Sequence, residues 1–177
     1  IMDPRVLRRK IIRTASGCFH KNGIKATSMN SISETLHISK RTLYQVFLSK
    51  SELLEACVSF QIEKSRKQIE EKCRTLNCLE AIVYLNYQTY ALSGVLSANF
   101  CREIVKYPEA LAIFSKEYRE PLHEKCASLF HEARQKKLIQ PESNFELAFM
   151  FLKIPCFMRF LPLMRNRSVP LRTAMPC

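Results

Sequence analysis

The residues of this chain with the clearest chemical potential lie in one short segment, residues 39–47. Its polar members offer two cations, two hydroxyls, a phenol and an amide, which are the groups that hydrogen-bond the phosphates and base edges of nucleic acids. They are Ser39, Lys40, Arg41, Thr42, Tyr44 and Gln45. Between them Leu43, Val46 and Phe47 recur at helical spacing. The segment is therefore predicted to be a short helix with a buried face and a nucleic-acid-binding face.

Neighbouring helices must position that face. Residues 4–22 are predicted to form the first helix. The second begins after Thr27 or Ser28, either of which can cap it, and only His37 and Ile38 separate it from Ser39, the cap of the third. Two short helices joined by so tight a turn have the spacing of a helix-turn-helix, whose second helix enters the major groove of B-DNA.

Two further helix starts flank the reading segment. Ser28 precedes the second helix, and Ser49-Lys50 opens a fourth. Because the N–H groups at a helix N-terminus bind anions, both starts are predicted to hold phosphates. The complete set of expected DNA contacts is Thr27, Ser28, Ser39, Lys40, Arg41, Thr42, Tyr44, Gln45 and Lys50.

Charge is concentrated at the same end of the chain. The net charge is +12, and residues 1–50 contain ten lysines and arginines against two acidic residues. A basic region of this kind is typical of a polyanion partner, nucleic acid before membrane, although a merely solubilising face would carry the same charge. Charge alone leaves those two interpretations open.

Residues 12–54 resemble the DNA-binding domain of the TetR family of transcription regulators. The matching positions, at the family's spacing and without gaps, are Ala15, Phe19, Gly23, Ala26-Thr27-Ser28, Ile32, Ser39-Lys40, Thr42-Leu43-Tyr44, Phe47, Ser49-Lys50 and Leu53-Leu54. Two positions depart from the pattern. His37 stands where the family usually has glycine, and it tolerates left-handed geometry better than most residues. Arg41 replaces a small residue and is predicted to add a cation that reads bases.

The remainder of the chain is predicted to be helical at about 51–74, 78–96, 98–106, 109–119, 121–138 and 143–164, with Pro108, Pro121 and Pro141 at starts or breaks. The expected fold is all-α, with a DNA-binding domain at 1–50 and a regulatory domain at 51–177. The resemblance implies that the middle helices enclose an effector pocket, with Tyr84, Tyr87, Tyr90, Phe100 and Phe114 as candidates. It also implies a homodimer contact through residues 121–164, with Leu129, Phe130, Phe149 and Phe157 as candidates. For both sets, the alternative is an ordinary core.

Other classes of site are weakly supported. His123, Cys126 and His131 spread too widely around one helix for tetrahedral zinc, and no catalytic motif or phosphate loop occurs, so no metal, cofactor or catalytic residue is predicted. Eight scattered cysteines without a C-x-x-C pair are expected to be reduced thiols in a cytoplasmic protein without a secretory signal. Residues 145–164 are apolar, but Lys153 and Arg159 near the middle argue against a membrane span.

The sequence thus predicts a DNA-binding regulator, a repressor that a small-molecule effector releases from its operator. An activator or a ligand-independent DNA binder on the same fold remains open. A small-molecule carrier or a thiol enzyme is a further alternative, which predicts ligand binding or turnover without salt-dependent affinity for duplex DNA.

Overall fold

The computed structural model describes the backbone of residues 3–95 and 98–150, and the side chains within it except those at 89–99 and 101. Every regular element in this part is helical, so the predicted all-α class is confirmed. The elements are α1 (Pro4–Asn22), α2 (Met29–Leu36), α3 (Lys40–Val46), α4 (Lys50–Cys73), α5 (Cys78–Val95), α6 (Ala98–Ile104), α7 (Pro108–Phe114), a π-helical turn (Ser115–Arg119) and α8 (Glu120–Gln135). Residues 145–150 are again helical.

The first three helices share a small apolar core. Ile11 and Phe19 of α1, Ile32 of α2, and Leu43 of α3 are almost completely buried, as their helical spacing predicted. Helix α1 packs on α2 and α4, and α2 packs on α3. This core fixes the direction in which α3 presents its polar face.

Helix α4 connects that core to the rest of the molecule. It has 24 residues and is therefore about 36 Å long. Its buried residues include Leu54, Val58, Ile62 and Ile69, a row along one side. The helix contacts α1 as well as α7, so one rigid element runs from the N-terminal core into the later helices.

The later helices are organised around the pair α5 and α8, which share more of their surfaces than any other two helices of the described part. Leu85 of α5 and Cys126 of α8 are fully buried between them. Asn86 is also buried, and its Nδ2 donates to the carbonyl oxygen of Phe149 at 3.5 Å. This bond ties the helical stretch at 145–150 to α5.

Pro121 lies in the first turn of α8, where the sequence predicted a helix to start, but the backbone is not broken there. The backbone stays helical from Pro108 to Gln135 through the π-helical turn. Because proline has no N–H, the carbonyl of Glu117, four residues earlier, lacks its usual helical donor. Arg66 of α4 donates to that carbonyl at 3.2 Å instead. A side chain from another helix thus replaces the missing bond, which the sequence pattern did not reveal.

Candidate nucleic-acid interface

The turn between α2 and α3 has the geometry that the sequence predicted. His37 is the C-cap of α2 and adopts the left-handed conformation, with φ 54° and ψ 41°, although it is not a glycine. The N–H of Ile38 then donates to the carbonyl of Ser33 at 3.1 Å, which closes the turn over the end of α2. A three-residue connection between α2 and α3 follows, short enough to hold the two helices in a fixed relation.

Helix α3 presents its polar residues outward. Ser39 caps the helix by accepting a hydrogen bond from the Thr42 N–H at 3.0 Å. Lys40, Arg41 and Gln45 are exposed, Tyr44 is 40% exposed, and Thr42 is partly buried. Ser39 Oγ and Thr42 Oγ1 also lie 2.7 Å apart, so each hydroxyl already has a neighbour before any ligand arrives. The four exposed side chains, Lys40, Arg41, Tyr44 and Gln45, are called the α3 reading face.

Helix starts flank this face on two sides. Ser28 caps α2 and exchanges hydrogen bonds with Ser31 in a capping box. Ser49 caps α4 by accepting from the Glu52 N–H at 3.1 Å, while Glu52 accepts from the Leu48 N–H at 2.7 Å. Glu52 was not singled out in the sequence, although serine followed three residues later by glutamate is a recognisable cap signal.

Lys50 stands at the first position of α4 and is partly buried. Burial lowers the pKa of its ammonium group, and the nearby carboxylate of Glu103 opposes that decrease. Glu103 belongs to α6, and it also accepts a hydrogen bond from the backbone N–H of Lys25 at 2.7 Å. One carboxylate of the later helices therefore faces two parts of the N-terminal core.

Thr27 is not available for the DNA contact that was predicted for it. It is only 1% exposed, and its hydroxyl donates to the carbonyls of Gly23 and Cys18 at 2.7 and 3.2 Å. Both bonds hold the connection between α1 and α2. The sequence left Thr27 and Ser28 as alternative caps of α2, and in the structure Ser28 takes that position while Thr27 is buried.

Arg8 of α1 supports the C-terminal end of the reading helix, a role that the sequence pattern did not indicate. Its Nη1 donates to the carbonyl of Val46 at 3.3 Å, and its guanidinium carbon lies 4.2 Å from the centre of the Phe47 ring. A cation beside the carbonyl end of α3 is favoured by the helix dipole. Position alone gave no signal, because Arg8 is one of several cations on α1.

The five residues predicted for an effector pocket are not brought together. Phe100 and Phe114 line a small cavity between α1, α4, α6 and α7. Tyr84 and Tyr87 instead lie along an open groove on the outer side of α5, where Tyr87 is 49% exposed. The side chain of Tyr90 lies outside the described residues.

The cavity itself has a volume of about 20 Å³, which is room for about one water molecule. Ser16, Cys57, Val58 and Gln61 complete much of its wall. The buried Oγ of Ser16 has no partner there with hydrogen-bond geometry, although it lies near enough to the Cys57 thiol to oppose part of the pKa increase that burial causes. The cavity adjoins the contact between α1 and α4.

The residues predicted for a dimer interface lie mainly within the core of the single chain. Phe130 is 8% exposed and packs on Phe145, with ring centres 5.5 Å apart, and Phe149 is 2% exposed beside His123. Leu129 is partly buried, and Phe157 lies outside the described residues. Among the described residues after Gln135, the large apolar side chains left on the surface are different ones, namely Leu138, Leu147 and Met150.

Neither a metal centre nor a membrane span emerges from the described residues. Within residues 3–95 and 98–150, no three histidine, cysteine or acidic side chains group as metal ligands would. Nε2 of His123 instead lies 3.4 Å from Oε1 of Glu146. No described helix combines the length and the apolar character needed to cross a bilayer.

Comparisons with known proteins point in the same direction as the geometry. Residues 11–57 match the family described as bacterial regulatory proteins, tetR family. The HTH-type transcriptional regulator UidR of Escherichia coli K12 is 26% identical over 141 residues, which cover 77% of this chain and 71% of UidR.

Solved structures share the fold over most of the chain. Salmonella enterica GusR superposes with a TM-score of 0.65 at 24% identity, covering 89% of this chain and 83% of GusR. AibR, solved in complex with isovaleryl coenzyme A and operator DNA, superposes with a TM-score of 0.52 at 16% identity, covering 94% and 90% of the two chains. At these identities the structures establish a shared fold.

Proposed function

We propose that this chain is a repressor of the TetR family of transcriptional regulators, which binds its operator as a homodimer and leaves it when a small-molecule effector binds. The observation that supports this most strongly is the α3 reading face, four exposed polar side chains on a helix held by a cap at one end and by Arg8 at the other.

Within that face, we assign reading and positioning to different residues. Arg41 and Gln45 are assigned to base edges, because guanidinium and amide groups form paired hydrogen bonds with guanine and adenine. Tyr44, Ser28 and Lys50 are assigned to phosphates, together with Lys40, Ser39 and Thr42, since backbone contacts fix the register of the protein on the duplex. The capping bonds of Ser28 and Ser39 orient their hydroxyls for this role.

Two α3 reading faces are needed because one short helix contacts only a few base pairs. A symmetric dimer places its two α3 reading faces about 34–36 Å apart, which is one turn of B-DNA. We propose that residues 121–164 form the contact between subunits. Leu138, Leu147 and Met150 support this assignment, because all three are at least half exposed and lie within this range.

Effector binding is assigned to the helices after residue 50, with residues 1–50 as the DNA-binding domain and α4 shared between the two. The cavity at the α1–α4 contact is too small for an organic molecule, so an effector that binds at this place has to separate α4, α6 and α7 in order to enter. Such a change would move Glu103 relative to Lys25 and Lys50. An effector shifts the population only by its difference in affinity for the two arrangements.

The relatives suggest the chemistry to test first. AibR is described with both isovaleryl coenzyme A and operator DNA, so we propose an organic effector of similar or smaller size, in a non-enzymatic protein that acts in the cytoplasm. An activator on the same fold is the second candidate. Here the same ligand strengthens the complex, or leaves affinity unchanged and alters its geometry.

The test begins with selection of a preferred duplex from a random library, followed by anisotropy titrations on that duplex and on a scrambled one. The proposal predicts a preference of at least about 10³ for the selected duplex at physiological salt. A deproteinised metabolite extract, with isovaleryl coenzyme A as a defined probe, should then weaken binding. Equal affinity for both duplexes refutes specific recognition, and strengthening by the extract favours the activator.

A further inference from the structure

Helix α1 carries a face of cations that no part of the proposed recognition uses. Arg5, Arg9 and Arg13 follow one another at four-residue spacing, and Lys10 lies beside them. All four side chains are exposed, and none forms an ion pair with another residue of the described chain. These four residues are called the α1 cation face.

No acid balances this face. Between Asp3 and Glu34 the sequence contains no acidic residue, and the Asp3 carboxylate is already engaged in capping α1 through the Arg5 N–H at 2.7 Å. Like charges four residues apart destabilise a helix, and cations near its N-terminus oppose the helix dipole. The arrangement therefore lowers the stability of α1, and no contact within the described residues compensates for it.

The helix that carries the α1 cation face also contacts the end of the reading helix. Arg8, on the same two turns of α1, reaches the last carbonyl of α3 and the ring of Phe47. The N-terminal half of α1 therefore lies beside the C-terminal end of the reading helix. A DNA backbone that leaves α3 on that side passes next to exposed guanidinium groups.

We propose that the α1 cation face binds the phosphate backbone of the DNA that flanks each half-site, so that the operator extends beyond the base pairs read by α3. From Arg5 to Arg13 the face is about 12 Å long. At 3.4 Å per step of one strand, that length covers roughly three or four phosphates. This inference rests on the proposed function, since it extends the same DNA-binding surface.

A membrane surface fits this face less well. Helices that lie on anionic membranes pair their cations with a broad apolar face that enters the lipid. In α1 the apolar residues Ile11, Ala15 and Phe19 are buried, and Val6, which is 53% exposed, is the one large apolar side chain of this helix that is more than half exposed, far less than a broad apolar face. Duplex DNA requires only the charge.

The test compares two duplexes that share one selected operator core. The short duplex ends at the outer edges of the half-sites, and the long one continues for about ten base pairs on each side, one helical turn. The variant is the triple substitution Arg9→Gln, Lys10→Gln and Arg13→Gln, which retains helix propensity. Binding of wild type and variant is measured at four salt concentrations on each duplex, and circular dichroism verifies folding.

On the long duplex, the slope of log affinity against log salt should fall by about 0.9 for each phosphate that the variant no longer neutralises, up to about 5 for the six cations of a dimer. On the short duplex the slopes of wild type and variant should agree within about 0.5. Equal decreases on both duplexes, or no decrease on the long one, overturns the inference. Wild type that fails to prefer the operator core at all refutes the proposed function instead.

A matched control removes the same charge elsewhere. Lys64, Lys106 and Lys116 are exposed cations outside the N-terminal core. Their triple replacement by Gln should leave the salt slope on the long duplex near that of wild type. A decrease equal to that of the α1 variant means that net charge, and not the α1 cation face, is responsible. Finally, binding of wild type and of the α1 variant to vesicles of anionic and of neutral lipid is measured. If wild type binds anionic vesicles, the variant does not, and the substitutions leave affinity for the long duplex unchanged, the face belongs to a membrane site and the inference is overturned.

Discussion

Replacement of Arg8 by Met should destabilise the reading helix without altering its polar face. The guanidinium of Arg8 donates to the Val46 carbonyl at 3.3 Å and lies 4.2 Å from the centre of the Phe47 ring. A hydrogen bond with a charged partner contributes about 1.5–3 kcal/mol, and an exposed cation–π contact about 0.5–1 kcal/mol. Because the bond is long and Arg8 is exposed, we expect the lower end of these ranges, about 1.5–2 kcal/mol in total.

Urea unfolding at neutral pH and equal protein concentration measures this destabilisation, since stability of a dimer depends on concentration. Met preserves most of the aliphatic stem, so the difference reports the guanidinium. Arg8→Lys keeps the charge but removes the planar group, and should fall between wild type and Arg8→Met. Arg9→Met is the matched control and should be neutral or slightly stabilising, because Arg9 makes no such contact and opposes the helix dipole.

The result that refutes this reasoning is an Arg8→Met protein as stable as Arg9→Met, within about 0.5 kcal/mol. DNA binding provides a second measurement. Because α3 would lack support at its C-terminal end, Arg8→Met should weaken binding to the operator and to scrambled duplexes alike. A selective decrease on the operator would mean that Arg8 itself reads bases.

Three further predictions concern recognition, the thiols and assembly. Arg41→Ala should make the binding free energy less favourable by about 1–3 kcal/mol per half-site on the operator and by much less on a scrambled duplex. Lys50→Ala should weaken binding to both duplexes similarly and lower the salt slope by about 2 per dimer. Equal effects of Arg41→Ala on both duplexes contradict the assignment of Arg41 to base edges. Burial raises the pKa of the Cys57 and Cys126 thiols to about 12, so the free energy of unfolding should decline as pH rises from the unfolded value, about 8.5, toward 12. Mild oxidant at pH 7.5 should leave DNA binding intact, and a decrease that dithiothreitol reverses would reveal a redox sensor. Leu147→Glu should give monomers in sedimentation with greatly weakened operator binding, and an unchanged dimer would exclude this residue from the contact.

Local signals in the sequence predicted most of the N-terminal half. Apolar residues at helical spacing fixed the buried sides of α1, α2 and α3, and cap residues marked where the helices begin. His37 was predicted to tolerate the left-handed turn, and it adopts that conformation. These features depend on residues close to one another in the chain, so pattern and propensity suffice.

Contacts between distant segments were not predictable in the same way. The bonds from Arg66 to the Glu117 carbonyl and from the Lys25 N–H to Glu103 join residues 51 and 78 positions apart. Thr27 was predicted to contact DNA because two adjacent residues could both cap α2, whereas the structure buries it. Choosing between them requires the direction in which α1 packs, which only the tertiary structure determines.

Aromatic and apolar residues of the later helices show a second limit. Helical spacing identified Phe130 and Phe149 as members of a buried face, but it does not tell whether the same chain or a partner covers them. The structure buries both within one chain. The predicted pocket residues show the same limit, because Tyr84 and Tyr87 lie along the groove of α5 whereas Phe100 and Phe114 line the cavity. Spacing along a helix does not tell which neighbouring helix each of its faces contacts.

Two copies of the chain should hold duplex DNA through their α3 reading faces. Hydroxyl-radical footprinting on the selected operator tests it most directly. We expect two protected clusters related by twofold symmetry, with centres one helical turn apart, about 10–10.5 base pairs, or an integral multiple of it. A single protected cluster, or uniform protection along the whole duplex, would contradict it.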